Sequence, residues 1–209
     1  MQQPAIRAVL LDFGGVIAEE GFRNGLAFLA EHHGKDPDQV LAQAMDAVYS
    51  SGYVTGTGSE ADFWRRLGEL SGLWVEPLEG ENAILSRFRL RSEMLEWVHR
   101  LRRTGFLVGL LTDQTDWLGR LDQRDGFLAA FDRVYNSYRL GKGKRDPTLF
   151  HDVATDLNLP PERILLVDDS QANGDRARAG GFQVLTTDDP DRIQRALKAL
   201  VREAGGTAK

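Results

Sequence analysis

At 209 residues the chain is long enough to bury a sizeable core, as one large domain or a core with a smaller companion. With 42% hydrophobic and 27% charged residues it has the make-up of an ordinary globular protein, and its net charge of −5 argues against nucleic acid as a main partner. Cysteine is absent, which excludes disulfides, thiolate metal sites and a Cys nucleophile, and no apolar stretch approaches the ~18 residues of a membrane span. The opening Met1-Gln2-Gln3-Pro4 shows no basic segment leading into an apolar one, so a cytoplasmic protein with no membrane partner is expected.

In chain order, Ile6 and residues 8–11 form a short aliphatic run that reads as a buried strand. It stops at Asp12, and Gly14-Gly15 then permit a turn with close backbone approach to a bound group. Phe22, Leu26 and Leu29 recur at helical spacing. Asp36-Pro37-Asp38-Gln39 reads as a helix start with Asp36 as N-cap and Gln39 closing a capping-box-like pattern, and Val40, Leu41, Ala44 and Val48 give that helix its apolar face. After a Gly/Thr-rich turn at 52–58, Ser59 caps a helix carrying Phe63, Leu67 and Leu70, which Gly72 ends. The run Arg87-Phe88-Arg89-Leu90-Arg91 reads as a solvated helix face rather than a binding patch.

Beyond about residue 90 helices and strands alternate. Met94, Leu95, Val98 and Leu101 mark a helix ending near Gly105, and residues 106–111 a second buried strand that ends at Thr112-Asp113. Residues 133–136 form a third strand, and Asp146-Pro147 is expected to open a helix with Phe150, Val153 and Leu157. Residues 164–167 form a fourth strand ending at Asp168-Asp169, residues 183–185 a fifth, and Asp189-Pro190 starts a last helix. Strands separated by single helices imply parallel pairing. The expected fold is therefore α/β: a Rossmann-like parallel-sheet core (residues 1–16 and 84–209) with an all-helical cap (17–83) inserted after the first strand, over the carboxyl ends where a lid belongs.

In such a sheet Asp12, Thr112-Asp113, Lys142/Lys144 and Asp168-Asp169 project into one crevice. A carboxylate nucleophile, a hydroxyl donor, a fixed cation and an acidic pair are the parts that phosphoryl transfer needs. Asp12 would attack phosphorus, Mg2+ held by carboxylate oxygens would offset the repulsion between anions, and Thr112 and a lysine would hold the remaining oxygens. The chain has 21 arginines but only five lysines, and two of the five lie in Gly141-Lys142-Gly143-Lys144. A compact ammonium can touch a phosphate and a carboxylate together, where a guanidinium fork is a poor substitute.

These residues resemble the motifs of the haloacid dehalogenase (HAD) superfamily, and the likeness runs along nearly the whole chain. Leu11-Asp12-Phe13-Gly14-Gly15-Val16 is similar to its first motif and Leu110-Leu111-Thr112-Asp113 to its second. Ser137, Gly141 and Lys144-Arg145-Asp146 are similar to its third, and Leu166-Val167-Asp168-Asp169-Ser170 with Asn173, Ala177 and Gly181 to its fourth. The resemblance implies that Asp12 is nucleophile and magnesium ligand, the Gly14 carbonyl a second ligand, and Asp169 a third, with Asp168 in or beside the coordination shell. It implies that Thr112 and Lys144, rather than Lys142, bind phosphate, beside Asp113 and the Gly14-Gly15 turn.

Two positions depart from the family's usual phosphatases. The leaving-group acid that normally stands two residues after the nucleophile is replaced by Gly14, and an Asn often found after the second-motif Thr is Asp113. Loss of a general acid costs about 10²–10⁴-fold in rate; Glu19, Glu20 and Asp113 are the candidate substitutes. The reading is thus a magnesium-dependent phosphatase of a small phosphorylated metabolite. The alternatives are a non-catalytic relative binding a phosphorylated ligand or a protein partner, and a haloacid dehalogenase, against which the Asp168-Asp169 pair argues. In the insert, Phe63, Trp64 and Trp74 are expected in the cap core, and Tyr53 with the Gly56-Thr57-Gly58 loop against substrate. The four histidines show no ligand or triad spacing.

Overall fold

A computed structural model describes residues 5–206; Met1 to Pro4, on which the reading of the chain's start rests, and residues 207–209 lie outside the described part. Five parallel strands, β1 (Ala8–Leu11), β2 (Leu107–Thr112), β3 (Arg133–Asn136), β4 (Ile164–Asp168) and β5 (Gln183–Thr186), form one sheet in the order β3-β2-β1-β4-β5. β1 is aliphatic throughout because both faces of the sheet are covered. Val9 and Leu11 point to one side, Ala8 and Leu10 to the other, and all four are fully buried.

Between β1 and β2 run α1 (Gly21–His32), α2 (Pro37–Ser50), α3 (Glu60–Ser71), α4 (Pro77–Leu85) and α5 (Ser92–Arg103). Asp36 accepts a hydrogen bond from the Gln39 amide, 2.8 Å, and caps α2. The reciprocal capping box belongs to α3, where Ser59 and Asp62 satisfy each other's main-chain amides. Gly72 ends α3 in the left-handed conformation. The apolar faces of α1 to α3 form a single cluster with one side of the sheet, joined through Phe13, Val16, Ile17 and Phe88. Phe13 stacks on Phe127 at 5.1 Å and lies 5.4 Å from Phe88.

The rest alternates as expected: α6 (Trp117–Asp125) after β2, α7 (Ser137–Leu140) and α8 (Leu149–Asp156) after β3, α9 (Gln171–Ala179) after β4 and α10 (Pro190–Gly206) after β5. The opposite face of the sheet is covered by Leu149, Phe150, Val153, Ala177 and Phe182.

Several local expectations need correction. Asp146-Pro147 does not open a helix. The Asp146 carboxylate accepts from both the amide and the hydroxyl of Thr148, which makes a turn, and α8 begins only at Leu149. The Arg87 to Arg91 run is not a helix face but a link from α4 to α5, where Leu90 bridges to Ala18. Arg91 donates to the Gly15 carbonyl and Arg87 to that of Ala83. Trp74 is not in the insert's core: it is 63% exposed and lies against Gly68, whereas Phe63 and Trp64 are buried.

Candidate active site

The sheet brings the expected residues to one place. Asp12 follows β1, its main-chain amide donating to Val167 of β4, and Thr112 and Asp168 end the strands on either side. Lys144 arrives on the loop between α7 and α8, held by Asp113: both oxygens of that carboxylate accept from the Lys144 amide, at 2.9 and 3.1 Å. Gly143 makes room for this approach, since a Cβ there would lie 2.7 Å from an Asp113 oxygen.

The Lys144 ammonium is completely buried, 2.8 Å from Asp12 Oδ2 and 2.6 Å from Asp168 Oδ2. Lys142, by contrast, faces outward and is paired with Asp152 and Thr148. The other oxygen of Asp12 accepts from the Phe13 amide at 2.7 Å. Asp168 Oδ1 accepts from the Ser170 amide at 2.9 Å and from the Asn173 side chain at 3.3 Å. Asp169 packs over Gly15, whose φ of +73° and missing side chain admit it; a Cβ there would lie 2.4 Å from Asp169 Oδ2.

Asp12, Asp168 and Asp169 each bring one oxygen within 4.8 Å of the others. Burial pushes the Asp12 carboxyl well above its usual range; Lys144 pulls it back, while Asp168 and Asp169 push it up again. Asp169 is raised for the same reasons, burial first and Asp168 next. Burial would depress the Lys144 ammonium, but Asp12 and Asp168 more than reverse this and hold it charged. One ammonium facing three carboxylates leaves an excess of negative charge on oxygen ligands. That is the donor set a hard divalent cation takes.

Above these groups lies a cavity of about 340 Å³, in the size range of small-ligand sites. The core supplies its polar floor: Asp12, Gly14, Thr112, Asp113, Asp169 and Asn173. The insert contributes Phe22, Leu41, Met45, Val48 and Val54 among others, and Arg23, Arg145 and Arg176 also line the cavity. Thr112 is 2% exposed and, among the described residues, its hydroxyl has no hydrogen-bond partner. The Asp113 carboxylate is occupied by the Lys144 amide and by the Tyr49 hydroxyl, 2.6 Å away, so a phosphate beside it would meet a carboxylate whose two oxygens are already engaged.

The insert residues named from sequence as substrate contacts are placed elsewhere. Tyr53 is buried among Phe63, Trp117 and Tyr138, its hydroxyl donating to Asp116, and Gly56 packs on the Tyr138 carbonyl. The cavity face of the insert is instead a stripe of α2, Leu41, Met45, Val48 and Tyr49, whose i, i+4 spacing was readable but indistinguishable from a core stripe. Arg145 lies over the Tyr49 ring at 3.5 Å.

Glu20 also lines the cavity. Burial, then Asp169, push its carboxyl up to about 7, against Arg23 and Lys144. An unfolded Glu ionises near pH ~4.3. Between these values the folded state holds the extra proton, so stability falls as pH rises, and above about 7 the penalty is complete. Glu20→Gln is therefore expected to stabilise the metal-free protein at pH 8, on the order of 1 kcal/mol, and to change little at pH 4.5. Urea titrations in EDTA at the two pH values check this; equal effects at both would contradict it.

The core is a parallel five-stranded α/β sheet with a carboxylate just beyond its central strand and helices inserted after it. The sequence pattern of the haloacid dehalogenase-like hydrolases matches residues 6–181, and the chain belongs to that family. It is 25% identical over 186 residues to D-ribitol-5-phosphate phosphatase of Bacteroides thetaiotaomicron, covering 85% of this chain and 90% of that protein. Its fold is similar to that of a predicted HAD-like family hydrolase from Porphyromonas gingivalis (TM-score 0.69, 22% identity, 95% of this chain and 99% of the other). It is also similar to a HAD family enzyme from B. thetaiotaomicron in complex with magnesium and inorganic phosphate (TM-score 0.62, 23% identity, 87% and 93%). Among the described residues no helix is long and apolar enough to cross a membrane.

Proposed function

We propose that this chain is a magnesium-dependent phosphatase that hydrolyses a small phosphorylated metabolite through an aspartyl-phosphate on Asp12. The observation that carries the reading is the Asp12 carboxylate fixed between Lys144 and the Phe13 amide, with the partnerless Thr112 hydroxyl on the same cavity. The similarity to a sugar-alcohol phosphate phosphatase along most of both chains supports it.

Asp12, Asp168, Asp169 and the Gly14 carbonyl would hold magnesium, which supplies charge neutralisation for a carboxylate approaching an anionic phosphate. Lys144 and Thr112 bind phosphoryl oxygens, and the main chain at Asp113, Gly14 and Gly15 surrounds them. Asp168, tied to Lys144, Ser170 and Asn173, keeps the ammonium aimed at Asp12. Residues 17–83 act as a cap whose apolar wall takes the leaving group and keeps water out.

The test is initial rates on sugar, polyol and aryl phosphates with Mg2+ and with EDTA. Hydrolysis that falls at least ~10²-fold on removing the metal is expected. No magnesium-dependent hydrolysis across the panel would instead leave a binding or regulatory relative as the reading.

A further inference from the structure

The chain lacks a side chain where a phosphatase of this design needs one to protonate its leaving group, but the space is not empty. A Cβ built on Gly14 would lie 2.1 Å from Glu20 Oε1 and 3.1 Å from its Cδ. The Glu20 carboxyl therefore occupies the volume into which a side chain at position 14 would grow. The positive φ that explains Gly15 does not apply to Gly14, whose missing side chain is explained by this close approach.

Three further observations orient Glu20 toward chemistry. It stands at the N-cap of α1, yet its side chain makes no capping hydrogen bond with that helix. Among the described residues the carboxyl has no hydrogen-bond partner, and it opens on the cavity floored by Asp12 and Thr112. The other two candidates are spoken for or misplaced: Glu19 is exposed and does not line the cavity, and Asp113 is bonded to Lys144 and Tyr49.

We infer that Glu20 is the proton donor to the leaving group, delivered from the start of α1 into the space that Gly14 vacates. The inference rests on the phosphatase reading. In the first step an Asp12 oxygen bonds to phosphorus, the ester P–O bond breaks, and its electron pair stays on the ester oxygen. That oxygen takes the Glu20 proton and leaves as an alcohol. In the second a water oxygen bonds to phosphorus, the Asp12–phosphorus link breaks to restore the carboxylate, and the water's proton returns to Glu20 as inorganic phosphate departs.

Glu20→Gln keeps the shape and removes the acid. Turnover of alkyl phosphates is expected to fall about 10²–10⁴-fold. With 4-nitrophenyl phosphate, whose leaving group needs no proton, phosphorylation continues while hydrolysis of the phosphoenzyme slows. The readout is a burst of nitrophenolate followed by a slow steady state, which a purely structural role would not produce. A second variant uses the shared volume: Gly14→Asp in a Glu20→Ala background regains alkyl phosphate turnover relative to Glu20→Ala alone. No loss, or a loss on both substrates with no nitrophenolate burst, would overturn the assignment. A wild-type protein that hydrolyses no phosphate and forms no phosphoenzyme would defeat the phosphatase reading itself, and this inference with it.

Discussion

Asp12→Asn is expected to abolish turnover and to leave the fold intact. The amide has the carboxylate's shape, and its oxygen still accepts from one of Lys144 and the Phe13 amide, while its NH2 faces the other donor. What it lacks is the charge that the proposed mechanism directs at phosphorus. A fall in kcat on the order of 10⁴-fold or more is expected, as for removal of a covalent nucleophile. No acid-stable phosphoprotein should form on mixing with substrate. Because burial already disfavours the Asp12 anion, the metal-free variant should unfold at the same or a higher urea concentration than wild type. Activity within ten-fold of wild type would remove Asp12 from the chemistry.

The second large effect is on stability as much as rate. Lys144 is a fully buried ammonium shared by Asp12 and the equally buried Asp168. In Lys144→Met the methylene stem is retained and the charge is lost, so two carboxylates face each other without a cation. Breaking a buried pair in this way costs about 3–5 kcal/mol, to be measured by urea unfolding in EDTA. Adding Asp168→Asn should recover a large part of that loss, since it removes one of the stranded charges, while leaving turnover abolished. Lys144→Arg is no remedy, because a planar fork needs volume that a completely buried site does not have. If Lys144→Met cost under 1 kcal/mol, the ammonium would not be the buried pair described here.

The sheet was readable because its signal is local. β1, β2 and β4 are aliphatic runs that end in polar residues, and their order with single helices between them leaves few topologies. The strand-end residues Asp12, Thr112 and Asp168 were legible for the same reason: a parallel sheet sends all such ends to one edge. Lys144 was legible on its loop through the scarcity of lysine and the spacing from Ser137 and Gly141, but residues contributed by the insert were not. Nothing in the spacing of Glu20 distinguishes it from the exposed Glu19 beside it; only the fold shows that its carboxyl fills the space over Gly14. Tyr53 and Tyr49 sit on neighbouring turns with the same side chain, yet one is locked in an aromatic cluster and the other reaches Asp113 beside the cavity. Asp146 misled because a proline after an Asp suits a helix start and an Asx turn equally well, and the Thr148 hydroxyl decided for the turn.

The central place of β1 has a consequence for how the molecule is made. Ala8 finds its partners in Leu107 on one side and Ile164 on the other, so neither edge of the strand is covered by anything nearby in sequence. During synthesis this apolar segment emerges ahead of both its partners, and its second neighbour follows about 150 residues later in the chain. Throughout that interval Ala8–Leu11 is a bare, sticky ribbon. The helices of the insert, whose contacts with one another are much closer in sequence, are available to shelter it. The strand that carries Asp12 therefore precedes every other strand of the sheet in the chain, yet gains its second neighbour only with β4.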